Sequence, residues 1–99
     1  MGMPIAVQPP RVVGNVAVFD TDRSLSGQDG SSYSDPASAA ADLAFPGRLA
    51  DRIFGADAAV ENVFVASSQV VVRRRPGWDS ASGQRISAVI AGFFVHNRG

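Results

Sequence analysis

The 99-residue sequence is 45% hydrophobic, has no cysteine, and sets nine Arg against nine Asp and Glu for a formal net charge of zero. That length allows one domain with one modest core. The composition excludes disulfides and thiolate metal sites, and the charge balance gives no general attraction to nucleic acid or an anionic membrane. No apolar run approaches the roughly 18–20 residues of a membrane span. The opening residues, MGMPIAVQPP, lack the basic stretch and apolar length of a signal peptide. A soluble, cytoplasmic protein is expected, with a monomer favoured.

Residues 5–7 and 12–20 read as strands, with Pro9-Pro10 between them. In the second run Val16 and Val18 share one face and Ala17 and Phe19 the other. Residues 21–32 are polar, hold two glycines and read as a loop, with room for a short strand around Tyr33 at residues 32–34. Residues 1–4 and 96–99 are expected to be flexible.

Asp35-Pro36 starts a helix: the Asp side chain caps exposed N–H groups, and Pro suits a first turn that needs no donor. Residues 37–43 favour helix, and Phe45-Pro46 interrupts it. A second helical stretch covers about residues 46–54. Phe45, Leu49 and Ile53 fall at i, i+4 and i+8 with Ala50 and Phe54 beside them, and Arg48, Asp51 and Arg52 lie opposite. Gly55 is placed to end this helix in a left-handed conformation.

Residues 60–66 and 69–75 are rich in β-branched side chains and read as an antiparallel hairpin turning at Ser67-Ser68. Val70 and Val72 face opposite to Val71, and Pro76-Gly77 ends the second arm. Residues 79–95 carry Ile86, Val89, Ile90, Phe93 and Phe94 at helical spacing. Gly83 and Gly92 each cost this helix about 1 kcal/mol relative to Ala, so it depends on docking its apolar stripe.

The order β-β-α-β-β-α predicts an α+β fold: a four-stranded, mainly antiparallel sheet with both long helices on one face. Its core is expected to hold Leu49, Ile53, Phe54, Val63, Val65, Ile90, Phe93 and Phe94.

Residue groups that could carry chemistry are few. Asp20-Thr21-Asp22 with Ser24, Ser26 and Gly27 has a trace of a calcium loop, but Ser31 stands where a bidentate Glu is needed, and a solvated turn is the better reading. His96 is the only histidine; without a Cys or second His it makes no metal site. No serine has a histidine base held beside it, and no glycine pattern fits a nucleotide loop. The chain is read as a non-enzyme with no cofactor and no metal. Arg73-Arg74-Arg75 is the one charge cluster. On a strand, Arg73 and Arg75 project to one side and Arg74 to the other. Guanidinium forks suit phosphates and acidic peptides, while neighbouring Asp57, Glu61 or Asp79 could instead neutralise them. Trp78 follows, as a core-edge anchor for the last helix or as apolar area beside the arginines. Arg73, Arg74, Arg75 and Trp78 are therefore the candidate binding residues.

One family pattern covers most of the chain, residues 7–94. Leu49-Ala50-Asp51-Arg52-Ile53-Phe54, then Val60, Val63-Phe64-Val65 and Val70-Val71-Val72, resembles the N-terminal domain of the Nfu/NifU iron–sulfur scaffold family. Tyr33-Ser34-Asp35 before the Ala-rich turn fits as well. Gln8-Pro9-Pro10 and Asn15 keep a trace of the family's Pro/Asn-rich opening. Trp78-Asp79 reverses the pair that often starts the last helix in relatives, and Gly47-Arg48 is an insertion. The resemblance implies the same antiparallel sheet with two helices. It implies no catalytic residue, because the family's cluster chemistry resides in a separate C-terminal domain with a CxxC motif.

Two functions are carried forward. One is a protein-interaction or accessory module linked to iron–sulfur cluster assembly. The other is an adaptor that binds acidic or phosphorylated peptides through Arg73–Arg75, unrelated to clusters.

Overall fold

The computed structural model describes residues 7–22 and 30–97, with side chains as far as Phe93. The β-branched run at 12–20 favours extended backbone, yet it is not one strand. Gly14, at φ 62, turns the chain back on itself. Strand β1 (Arg11–Val13) thereby pairs antiparallel with β2 (Val16–Asp20). A two-residue loop with glycine first and positive φ has the twist that such a hairpin needs. Ahead of Pro9-Pro10, Val7 bridges Thr21 and the Gln8 amide donates to the Asp20 carbonyl. Of the strand expected at 5–7, only this Val7 bridge falls within the described residues.

Strand β3 (Ser31–Tyr33) takes residues 31 and 32 out of the expected loop, and residues 23–29 lie outside the described chain. β4 (Val60–Ala66) and β5 (Gln69–Arg74) form the expected hairpin, with Ser67 at φ 51 in its turn. The strands run antiparallel in the order β1-β2-β5-β4-β3. The sheet thus has five strands rather than the expected four. Gly14 splits one run in two, and Tyr33 pairs opposite Val63 at the far edge.

Burial alternates along β2 and β5 and, beyond Val60, along β4, while β1 is exposed throughout. Ala17, Phe19, Val63, Val65, Val70, Val72 and Tyr33 are buried on one face, while Val16, Val18, Phe64 and Val71 on the other are half-buried. Val60 is buried too, an odd number of steps from Val63. The register accounts for it: Val60 lies opposite Arg74 and Asn62 opposite Arg73, leaving Glu61 as the extra residue of a β-bulge.

Helix α1 (Pro36–Ala41) is capped as expected, with Asp35 Oδ1 accepting the Ser38 N–H at 2.7 Å. Helix α2 (Phe45–Ala56) starts with Pro46 in its first turn. The corner between them is tight. A Cβ on Gly47 would run into the Asp42 carbonyl oxygen, so a glycine here is what lets the two helices meet. Gly55 does not end α2; it lies within the helix, outside the left-handed region. The helix stops at Asp57, whose backbone is extended and whose carboxylate accepts the Ala59 N–H at 2.9 Å. Helix α3 (Ser80–Asn97) runs two residues beyond the expected end. Its start is fixed reciprocally: Asp79 Oδ1 accepts the Ser82 N–H at 2.8 Å, and Ser82 Oγ accepts the Asp79 N–H at 2.9 Å.

Leu49, Ala50, Ile53 and Phe54 from α2 and Ile86, Ile90 and Phe93 from α3 join the buried strand residues in one cluster. All the expected core residues are buried except Phe94, whose side chain lies outside the described residues. Phe45 closes the interhelical seam edge-on against Phe93, with ring centroids 4.9 Å apart. Among the described residues, no helix is long and apolar enough to cross a membrane.

Candidate functional site

The strand geometry separates the three consecutive arginines. Arg73 and Arg75 reach the same carboxylate, Glu61, at 3.7 and 3.1 Å. The bulge makes this possible by turning Glu61 away from the alternation of its strand. These residues border an open cleft of about 560 Å³ that also takes in Ser34, Asp35, Phe54 and Asp57.

Arg74 points to the helix side of the sheet. Its Nε donates to Asp57 Oδ2 at 2.7 Å and its Nη1 to the Gly77 carbonyl at 2.8 Å. Arg85 of α3 donates to the same Asp57 oxygen at 3.0 Å. The Asp57 side chain is only 6% exposed and Arg74 17%. Burial pushes the Asp57 carboxyl up. The Arg74 hydrogen bond, the Ala59 N–H and the charges of Arg74 and Arg85 outweigh it, holding the group below the ordinary aspartate value. This network ties the end of α2 to β5 and α3.

Trp78 stands apart from the arginine cleft. Its Nε1 donates to the Asn15 carbonyl at 3.0 Å, and its ring meets Phe19 edge-on at 5.7 Å. It therefore pins the turn of the first hairpin to the segment that opens α3. Its outer side lines a second groove, about 620 Å³, with Val7, Pro10, Val12 and Gly83. Of the four candidate residues, the fold brings together Arg73 and Arg75 and places Arg74 and Trp78 in separate settings.

The sequence offers Asp57 as a counterion for the arginine cluster and Tyr33 as a strand residue, but not Arg85 as a second donor to Asp57 or Asp42 as the acceptor for Tyr33. These contacts arise only through packing. Tyr33 donates to Asp42 Oδ2 at 2.5 Å, and Asp42 Oδ1 accepts the Ala44 N–H at 3.0 Å. Burial, then the bond to Asp42, push the Tyr33 hydroxyl up; the Tyr33 and Ala44 donors hold Asp42 below its ordinary value.

Of the trace of a calcium loop, residues 20–22 and Ser31 fall within the described residues. The Asp20 carboxylate takes hydrogen bonds from Arg11 and Gln69, both at 2.8 Å. Ser24, Ser26 and Gly27 lie outside the described residues, as does the His96 side chain. Among the described residues, no three His, Cys, Asp or Glu side chains form a metal-holding group, and no buried side-chain polar atom lacks a hydrogen-bond partner.

Fold and site together define an α+β domain with an antiparallel five-stranded sheet. Comparison with protein-family models, with curated proteins and with solved structures finds no match.

Proposed function

We propose that this chain is a non-catalytic protein-interaction or accessory module of the Nfu/NifU N-terminal type, acting in iron–sulfur cluster assembly or delivery. The observation that supports this reading is where the resembling residues fall. Leu49 and Ile53 of α2, Val63 and Val65 of β4, and Val70 and Val72 of β5 are all fully buried in one cluster. Much of the resembling pattern thus builds the helix-on-hairpin core, while Asp51 and Arg52 are exposed and Phe64 and Val71 half-buried. With no cysteine among these 99 residues, any cluster involved rests on thiolates from outside them.

The reading is tested by affinity capture from native lysate with the folded chain as bait. Cluster-assembly proteins enriched over a control bait are expected. Their absence among reproducible partners would contradict it.

One observation favours the acidic-peptide reading: Arg73 and Arg75 are 51% and 75% exposed on the same side. Charge weighs against it. Asp35, Asp57 and Glu61 line the same cleft, and an incoming anion competes with Glu61 for both guanidinium groups.

A further inference from the structure

Among the described residues, two of the three exposed large apolar side chains are neighbours on one strand, Val12 at 48% and Val13 at 78%. Both belong to β1, at the edge of the sheet. Consecutive strand residues point to opposite faces, so both faces are unfinished at this edge. The register shows which backbone groups are turned outward. Val13 and Val16 flank the two-residue turn, and such a pair exchanges its hydrogen bonds within the hairpin. Alternation does the same for Arg11 and Val18, and turns the N–H and C=O of Val12 away from β2. Pro9 and Pro10 supply no donors. The ladder that β1 can offer a neighbour is therefore short and centred on Val12.

We propose that this edge pairs with β1 of a second copy of the chain, antiparallel about a two-fold axis at Val12. A strand centred on one residue with donor and acceptor both outward is its own complement: each Val12 N–H meets the Val12 carbonyl of the other copy. The same operation sets Arg11 opposite Val13 of the second copy, so no like charges face each other directly. Arg11 is already paired with Asp20 at 2.8 Å, and a chain of zero net charge has no general repulsion from its copy. On the helix side the two Val12 side chains lie together at the mouth of the Trp78 groove, which Val12 lines. On the other side Val13 packs along the aliphatic stem of the second copy's Arg11. This is an isologous contact that closes on two copies. Its area falls at the low end for specific interfaces, below about 1,200 Å², which makes the dimer reversible and concentration-dependent.

Sedimentation of the full chain from about 1 μM to 1 mM, the range of weak association, should show the mass rising from 10.3 kDa toward twice that value. Val12→Glu and Val12→Arg, each alone, should remain monomeric because like charges meet at the axis. An equimolar mixture of the two should recover the dimer. If either variant fails to fold, amide exchange on the unaltered chain decides: the Val12 N–H should slow at least tenfold at high concentration while Val13 stays unchanged. A monomer throughout, a dimer that both charged variants retain, a mixture that stays monomeric, or a Val12 amide indifferent to concentration each overturns the proposal.

Discussion

Arg74 of β5 and Asp57 at the end of α2 form an ion pair between the sheet and the helix layer, Nε to Oδ2 at 2.7 Å with both side chains mostly buried. A buried ion pair is weak support for stability as a whole, but removing one partner strands the other. Asp57→Ala should therefore cost about 3–5 kcal/mol, a large share of the ~5–15 kcal/mol typical of a domain. Arg74→Ala leaves the carboxylate with Arg85, which is 45% exposed, and should cost less, about 1.5–3 kcal/mol. Urea unfolding of the two variants gives the comparison; equal and small losses would show that the network carries little.

The same carboxylate sets a pH dependence. Asp57 has its folded pKa below the ordinary 3.8, so its contribution is complete above the unfolded value. It is lost as pH falls through the folded value. Melting temperature should hold between about pH 7 and 5 and drop below pH 4. In Asp57→Asn the curve should start lower and fall less steeply. An unchanged slope in that variant would assign the acid sensitivity to other groups.

Gly47 tests the helix corner. Ala is ordinarily the better helix former by about 1 kcal/mol, so Gly47→Ala would stabilise an unconstrained helix. Here the added methyl meets the Asp42 carbonyl, and a net loss of about 1–3 kcal/mol is expected from overpacking. Thermal unfolding of the single variant reads the sign directly.

How much of this was legible in the sequence follows from the range of each signal. Periodicity is local, so the α2 stripe, the Ser67-Ser68 turn and the alternation of Val70, Val71 and Val72 could be read from spacing alone. The Asp35 cap is equally local. The split at Gly14 is hard to see because Val12, Val13, Val16, Val18 and Phe19 all favour extended backbone on either side of it. The Glu61 bulge was visible only as an odd step between Val60 and Val63. Gly55 looked like a terminator, yet Asp57 ends α2 because its carboxylate binds the next turn and two arginines. The arginine cluster was read as one feature, whereas strand alternation sends Arg74 to the core side. Asp57 and Glu61 stand among the counterions that the sequence offers, but which arginine each takes, and that Arg85 of α3 shares Asp57, is set by tertiary packing.

Glu61 separates the two surface readings. Glu61→Gln removes an exposed carboxylate from Arg73 and Arg75, and stability should change by no more than about 1 kcal/mol. If the arginine cleft is an anion site, the variant should bind a phosphorylated peptide more tightly than the parent, with the difference shrinking as salt is added. Indifference of both proteins to the peptide is the outcome expected if the cleft is structural.

The central claim is that this domain engages the cluster-assembly machinery. Its most direct test is a titration of the isotope-labelled chain with a purified iron–sulfur scaffold domain bearing a CxxC motif, with and without its cluster, followed by backbone amide shifts. Saturable shifts confined to one contiguous surface are expected, with no transfer of iron to this cysteine-free chain. No shifts at millimolar scaffold, or the same shifts with an unrelated protein of equal charge, would contradict it.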